Sequence, residues 1–286
     1  MEDERGPNSE HRQNNLSFLG HLEVLRKILL RSVVVVGVLT IIAFIYSDWI
    51  FDKIIIAPTH VKDFPTYQWM CKSSQWLGPV APWLGVDPAA GCMEELPLKL
   101  TTTTMGGDFS AVMLVSLIFG VIAASPFLFW QIWSFIRPAL HKKEAKKARG
   151  FVFWTTILFL LGVAFGYYII SPLSISFLGT FSAHADVVKL PTLNSYMGVL
   201  ATTTIATGLA FELPIIIYLL SSFGIITPQF LRKFRKHSIV VILIVAAIIT
   251  PPDVFSQIVV SIPLWLLYEI SILLSAMIQR RKEKQG

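Results

Sequence analysis

Two carboxylates in this chain stand where a carboxylate is costly. Glu212 lies inside the apolar run Tyr196 to Phe223, in Phe211-Glu212-Leu213-Pro214, and Glu269 lies inside the run Val254 to Ile278. A charged carboxylate at mid-bilayer depth costs on the order of 3 kcal/mol on insertion scales, so the default reading of such a residue is functional. The alternative for Glu212 is a protonated or hydrogen-bonded glutamate that ties helices together, partnered by Thr202, Thr203 and Thr204 one to three turns earlier. Pro214 frees backbone carbonyls beside it, which favours a kinked, wet site. Glu269 admits the same two readings, helix glue or function. Two further carboxylates sit in basic surroundings: Glu144 among Lys142, Lys143, Lys146 and Lys147, and Glu23 before Arg26 and Lys27. From spacing alone both read as solvated groups paired at i+3 or i+4, each pair contributing less than about 1 kcal/mol. The six histidines are scattered without metal-ligand spacing, and there is no HExxH, GxSxG or P-loop. No catalytic activity, metal or cofactor is expected from this pattern.

The elements that must position these groups are membrane helices. A span needs roughly 20 apolar residues to cross about 30 Å of hydrocarbon, and the apolar runs predict six spans over 28–46, 110–136, 151–170, 196–223, 238–250 and 254–278. The chain reads as one all-α polytopic membrane domain over 1–286, with no internal repeat. Charge fixes its threading. Arg26, Lys27 and Arg31 flank the start of the first run, five Lys and Arg residues from Lys142 to Arg149 follow the second, Arg232 to Lys236 precede the fifth, and Arg280 to Lys284 follow the last. The intervening gaps are neutral or acidic, so by the positive-inside rule both termini face the cytoplasm. The Ser171-Pro172 pair is expected to close the third span and Pro263 to break the sixth. Both final spans read as short, and the fifth, about a dozen residues, predicts local thinning of the bilayer as part of function.

Composition agrees: 54% hydrophobic and 15% charged residues describe a chain too apolar for a soluble domain of this size. The net charge of +6 lies beside spans, where it meets anionic lipid heads, and implies no nucleic acid. The polar, acidic first residues show no cleavable signal peptide. A large outer-face loop over 49–109 carries Trp69, Trp76, Trp83, six prolines and both cysteines. In an oxidising compartment Cys71 and Cys92 are expected to form a disulfide contributing roughly 3 kcal/mol, with two free thiols as the alternative.

Several longer motifs coincide: His21-Leu22-Glu23-Val24-Leu25-Arg26, the stretch Gln131 to Leu140 (QIWSFIRPAL), Phe211-Glu212-Leu213-Pro214, and the stretch Thr250 to Gln257 (TPPDVFSQ). Together they resemble TatC, the multi-span receptor component of the twin-arginine protein translocase, from about Phe18 to Met277. The resemblance implies a six-helix, cup-like protein of the bacterial cytoplasmic (inner) membrane. It would bind twin-arginine signal peptides of folded substrates at its cytoplasmic face, and assemble with the single-span partners TatA and TatB and with other copies of itself. Transport would use the proton-motive force rather than ATP.

At the residue level the resemblance puts Glu144 at the family's loop glutamate. Val24 stands where the family's amino-terminal glutamate usually stands, and Glu23 is one residue early, a rotation of about 100° on a helix. Glu23 and Glu144 are therefore the candidate signal-peptide carboxylates, suited to bidentate hydrogen bonds from paired guanidiniums. Phe135 matches a family signal-recognition position, where it would pack against the peptide or serve as an interfacial anchor. Glu212 would face the cup interior. Thr250 and Gln257 match the polar cluster where single-span partners dock, and Pro58 the proline that shapes the outer cap. A different class of function, a secondary transporter or channel for a small solute, would instead use Glu212 and Glu269 to bind protons or ions. It lacks the repeat expected of many transporter folds.

Overall fold

The computed structural model describes residues 8–60, 64–80, 92, 100–136, 148–180, 190–251 and 254–283, and among them the chain is helical apart from short turns and connecting residues and a single bridge between Thr101 and Thr192. The first helix, α1 (Asn8–Ile45), is followed by α2 (Ser47–Ile50), a widened π turn (Phe51–Ile55) and a 3-10 turn (Ala57–Thr59). A helix α3 (Pro65–Val80) then stands in what the sequence presents as one long loop. The rest of the bundle is α4 (Gly107–Ile136), α5 (Ala148–Phe165), a second π turn (Gly166–Ile170), α6 (Ser171–Thr180), α7 (Leu193–Ala210), α8 (Leu213–Ser222), α9 (Pro228–Lys233), α10 (Arg235–Ile249) and α11 (Val254–Glu283).

Among the described residues, five helical stretches are long and apolar enough to cross a membrane: Glu23–Ile45, Gly107–Ile136, Gly150–Gly179, Leu193–Ser222 and Ser256–Arg280. The remaining expected span, α10, is a helix of 15 residues, about 22 Å at 1.5 Å per residue. Large apolar side chains cover the outside of the bundle, among them Val33 and Ile41, each 62% exposed, and Ile248 at 78%. In water such a surface would aggregate; against acyl chains it has no cost. The chain is a multi-pass membrane protein.

Two boundaries differ from the sequence reading. The third span does not close at Ser171-Pro172 but runs to Thr180. The π turn just before it supplies the wider register that a proline lacking an N–H tolerates, and the Ser171 hydroxyl donates to the Gly166 carbonyl at 2.9 Å. Pro263 likewise leaves α11 unbroken. Val260 and Leu264, both fully buried, pin the axis on either side of it.

Among the described residues the interior has two large apolar centres and a small third one around Phe64 and Tyr67. One joins Ile170, Phe211, Ile217 and Leu231 to Ile242, Ala246, Val260, Leu264 and Ile272, binding α8, α9, α10 and α11 together. The other joins Ala43, Ile50 and Ile55 to Ala111, Val115, Ile175, Met197 and Leu200. Helix α7 and its continuation reach both centres. Its approach to the third span depends on glycine: a Cβ at Gly166 would lie 2.8 Å from the Thr203 carbonyl oxygen and 2.9 Å from Thr204 Cα.

Candidate functional site

The break between α7 and α8 is written by Pro214, whose ring would strike the carbonyl of Ala210 in a continuous helix. The chain leaves α7 through Phe211 and Glu212 and restarts at Leu213 with proline in the first turn, where its missing N–H is harmless. Glu212 therefore sits on the corner itself. Its carbonyl accepts from the N–H groups of Ile215 and Ile216, both at 3.0 Å. The residue is 7% exposed, and its Oε1 has no hydrogen-bond partner among the described residues. Of the three threonines expected to hold it, two bond elsewhere, and the Thr204 hydroxyl has no partner among the described residues. Thr202 donates to the Gly198 carbonyl and Thr203 to that of Val199, both at 2.7 Å, while the hydroxyls of Thr203 and Ser171 meet across helices at 2.7 Å. Neither Thr202 nor Thr203 thus bonds the Glu212 carboxylate. Two residues on, Pro214 lines an apolar groove of about 690 Å³ together with Trp133, Phe151, Trp154, Tyr218 and Ile270.

Glu269, by contrast, has a partner. Its Oε2 accepts from Arg235 Nη2 at 2.6 Å, fastening the first residue of α10 to α11. At the other end of α10 the Gln257 amide donates to the Leu243 carbonyl at 3.0 Å. The Thr250 hydroxyl, buried, turns back to the Ala246 carbonyl at 2.9 Å and closes the last turn. The short helix is therefore clamped to its neighbour at both ends. Tyr268 adds a bond from α11 to the Leu231 carbonyl at 2.9 Å, and Ser221 of α8 donates to Ser275 at 2.8 Å.

At the opposite end of the bundle, α3 and the π turn after α2 form a cap. Cys71 and Cys92 are joined, with Cα atoms 4.4 Å apart. Pro58 is buried, and its carbonyl accepts from the Tyr67 hydroxyl at 3.1 Å, which also lies 3.3 Å from the Pro172 carbonyl. Tyr167 and Tyr196 donate to the carbonyls of Ile54 and Ile55 at 2.7 and 2.6 Å. Burial pushes the Tyr67 phenol well above its ordinary range, so it stays a neutral donor. These tyrosines escaped the sequence reading. The signal was present in the prolines Pro58 and Pro172, since each interrupts helical bonding and leaves carbonyls that a buried cap must satisfy.

The family model for "Sec-independent protein translocase protein (TatC)" matches residues 20–263. The chain belongs to the TatC family. A curated TatC of Blattabacterium sp. subsp. Periplaneta americana is 35% identical, covering 96% of this chain and all of its own length, and one of Carboxydothermus hydrogenoformans is 30% identical over 93% and 96%. A crystal structure of the twin-arginine translocase receptor TatC superposes with a TM-score of 0.64 at 30% identity, covering 91% of this chain and 99% of that one. Membership makes the chain a component of Sec-independent protein transport.

Against the TatC pattern, Glu23 and Phe135 fall on neighbouring antiparallel helices. Phe44 meets Phe109 edge-on with ring centres 6.4 Å apart, and Thr40 lies against Gly120. Continuing that register brings the Glu23 end of α1 level with the Phe135 end of α4. Glu23 is exposed and bound to Lys27 at 2.7 Å, the i+4 pairing its spacing predicts, with Val24 beside it half exposed. Phe135 is 39% exposed, whereas Trp133 is buried and stacks on Phe151 with ring centres 3.9 Å apart. Glu144 lies outside the described residues.

Proposed function

We propose that this protein is the receptor of a twin-arginine translocase in the bacterial cytoplasmic membrane. It binds the signal peptides of folded substrates at its cytoplasmic face. Export proceeds with the single-span partners TatA and TatB, drawing on the proton-motive force. The match of the chain to the TatC family over most of its length carries the reading. In this arrangement α10 is a short sixth span, the Lys- and Arg-rich gaps lie inside, and both termini are cytoplasmic.

The tag's arginine pair is held by Glu144 and Glu23, helped by Phe135. Carboxylates suit guanidiniums because each can accept two parallel N–H bonds, which an ammonium cannot supply. The many lysines around Glu144 repel a basic peptide at long range, so the grip acts within a screening length of about 8 Å. Apolar burial of the tag supplies the remainder, and the aromatic-lined groove beside Pro214 supports that role. Thr250 and Gln257 mark the side where a single-span partner docks, through a polar contact of roughly 1 kcal/mol.

The test is export of a folded reporter bearing a twin-arginine tag, in a strain lacking its own receptor component. This chain should restore export, and replacing the tag's arginine pair with lysines should abolish it. A reporter retained in the cytoplasm, or one exported equally well with lysines, overturns the reading. Neutralising Glu23 and Glu144 together to Gln should remove crosslinking of a labelled tag peptide; undiminished crosslinking would show that the grip lies elsewhere.

A further inference from the structure

Where α9 meets the last turns of α11, the bundle holds a second concavity, polar rather than apolar. It encloses about 210 Å³ and is lined by Pro228, Gln229, Arg232, Ala276, Gln279 and Arg280. Among the described lining residues there is no Asp or Glu, and Glu269 of α11 is taken by Arg235. Neither Arg232 nor Arg280 forms an ion pair or hydrogen bond among the described residues. Two guanidiniums facing one small space repel each other unless an anion lies between them, and their planar forks fit the paired oxygens of a phosphate. The carboxamide of Gln229 adds a neutral donor to the same space.

The surface leading to it indicates what carries that phosphate. Leu266, Ile270, Leu273 and Met277, each close to half exposed or more, follow one another at i, i+4, i+7 and i+11 along one stripe of α11, and Arg280 ends the stripe at i+14. On the α9 side Phe230 is 51% exposed. An apolar track that terminates in an arginine is the shape of a phospholipid, tails along the helix and headgroup at its end. A basic recess between membrane helices is where anionic headgroups settle.

We propose that Arg232 and Arg280, with Gln229, form a binding site for the phosphate headgroup of an anionic phospholipid whose acyl chains lie along Leu273 and Met277. The site is separate from the signal-peptide grip, because two unpaired arginines repel an arginine-bearing tag. It stands whether or not that grip is placed correctly.

Native mass spectrometry of the detergent-solubilised full chain, titrated with phosphatidylglycerol, reads the site directly. Phosphatidylglycerol should bind at least about tenfold more tightly than phosphatidylcholine, a difference of ~1.4 kcal/mol. The double substitution R232Q/R280Q should remove that preference, whereas K233Q/K236Q, which deletes the same charge from exposed positions nearby, should keep it. Arg280→Gln alone, at an exposed position near the helix end, keeps the fold and should weaken binding at least threefold. Equal loss in the lysine pair would mean diffuse surface charge and overturn the site, as would unchanged binding in R232Q/R280Q or in R280Q. Displacement of the lipid by millimolar inorganic phosphate would assign the pocket to a free anion and overturn the lipid reading.

Discussion

Glu212 and Glu269 look alike in the sequence, each an acid in an apolar run, yet the structure divides their roles. Glu269 has a cation in reach and fastens two helices. Glu212 is buried at a corner, and its Oε1 has no protein partner among the described residues. A buried polar atom without a partner costs about 1–3 kcal/mol. Glu212→Gln keeps the shape and removes the capacity to ionise. It should leave abundance and thermal stability of the folded protein unchanged while slowing tagged-reporter export about tenfold, or ~1.4 kcal/mol in barrier. Equal export by the two forms would reduce Glu212 to a packing residue. The sequence showed where both acids lie but not which had a partner, because Arg235 is 34 residues from Glu269 and only the bundle brings them together.

At the scale of elements, apolar run length located every long helix, since about 20 residues per crossing is set by the bilayer rather than by propensity. What it misjudged was proline. Pro172 and Pro263 look like stops, but a widened turn absorbs the first and buried neighbours hold the second, and neither device has a sequence signature. The widened turn depends on Gly166, where an added methyl would meet the backbone of α7. Gly166→Ala should destabilise the solubilised protein by about 1–3 kcal/mol, the usual cost of overpacking. Gly37→Ala, with open space around it, should be neutral or slightly stabilising by the same thermal measurement. Helix α10 was legible as short, and its clamps at Glu269 and Gln257 explain how so brief a helix keeps its place. If its length thins the bilayer, inserting one turn of leucines after Ile244 should leave the protein folded and cripple export. Undiminished export would detach α10's length from function.

For the whole molecule, the cap was the least legible part. A loop rich in proline and tryptophan announced itself, and the pairing of Cys71 with Cys92 followed from having only two cysteines in an outer loop. The helix inside that loop and the tyrosines that bond the cap to the bundle did not follow, because their partners are backbone carbonyls distant in sequence. Closing a loop of 21 residues constrains the unfolded chain, so Cys71→Ser should lower stability by about 3 kcal/mol in a thermal or denaturant titration. Alkylation of unreduced membranes should label no cysteine in the parent and one in the variant.

Helix α1 rests on α4 along one face, and few residues of its apolar stretch are buried by the rest of the described chain. The remaining circumference, Val33, Val34, Ile41 and Ile45 among others, touches whatever the cell puts beside it. Saturation mutagenesis of α1 therefore maps its neighbourhood. Fluid hydrocarbon accepts any greasy residue regardless of size, whereas a second protein surface rejects bulk at a periodic subset of positions. The pattern of tolerated substitutions would thus distinguish a lipid-bathed edge from a subunit boundary in living cells, without any purified complex.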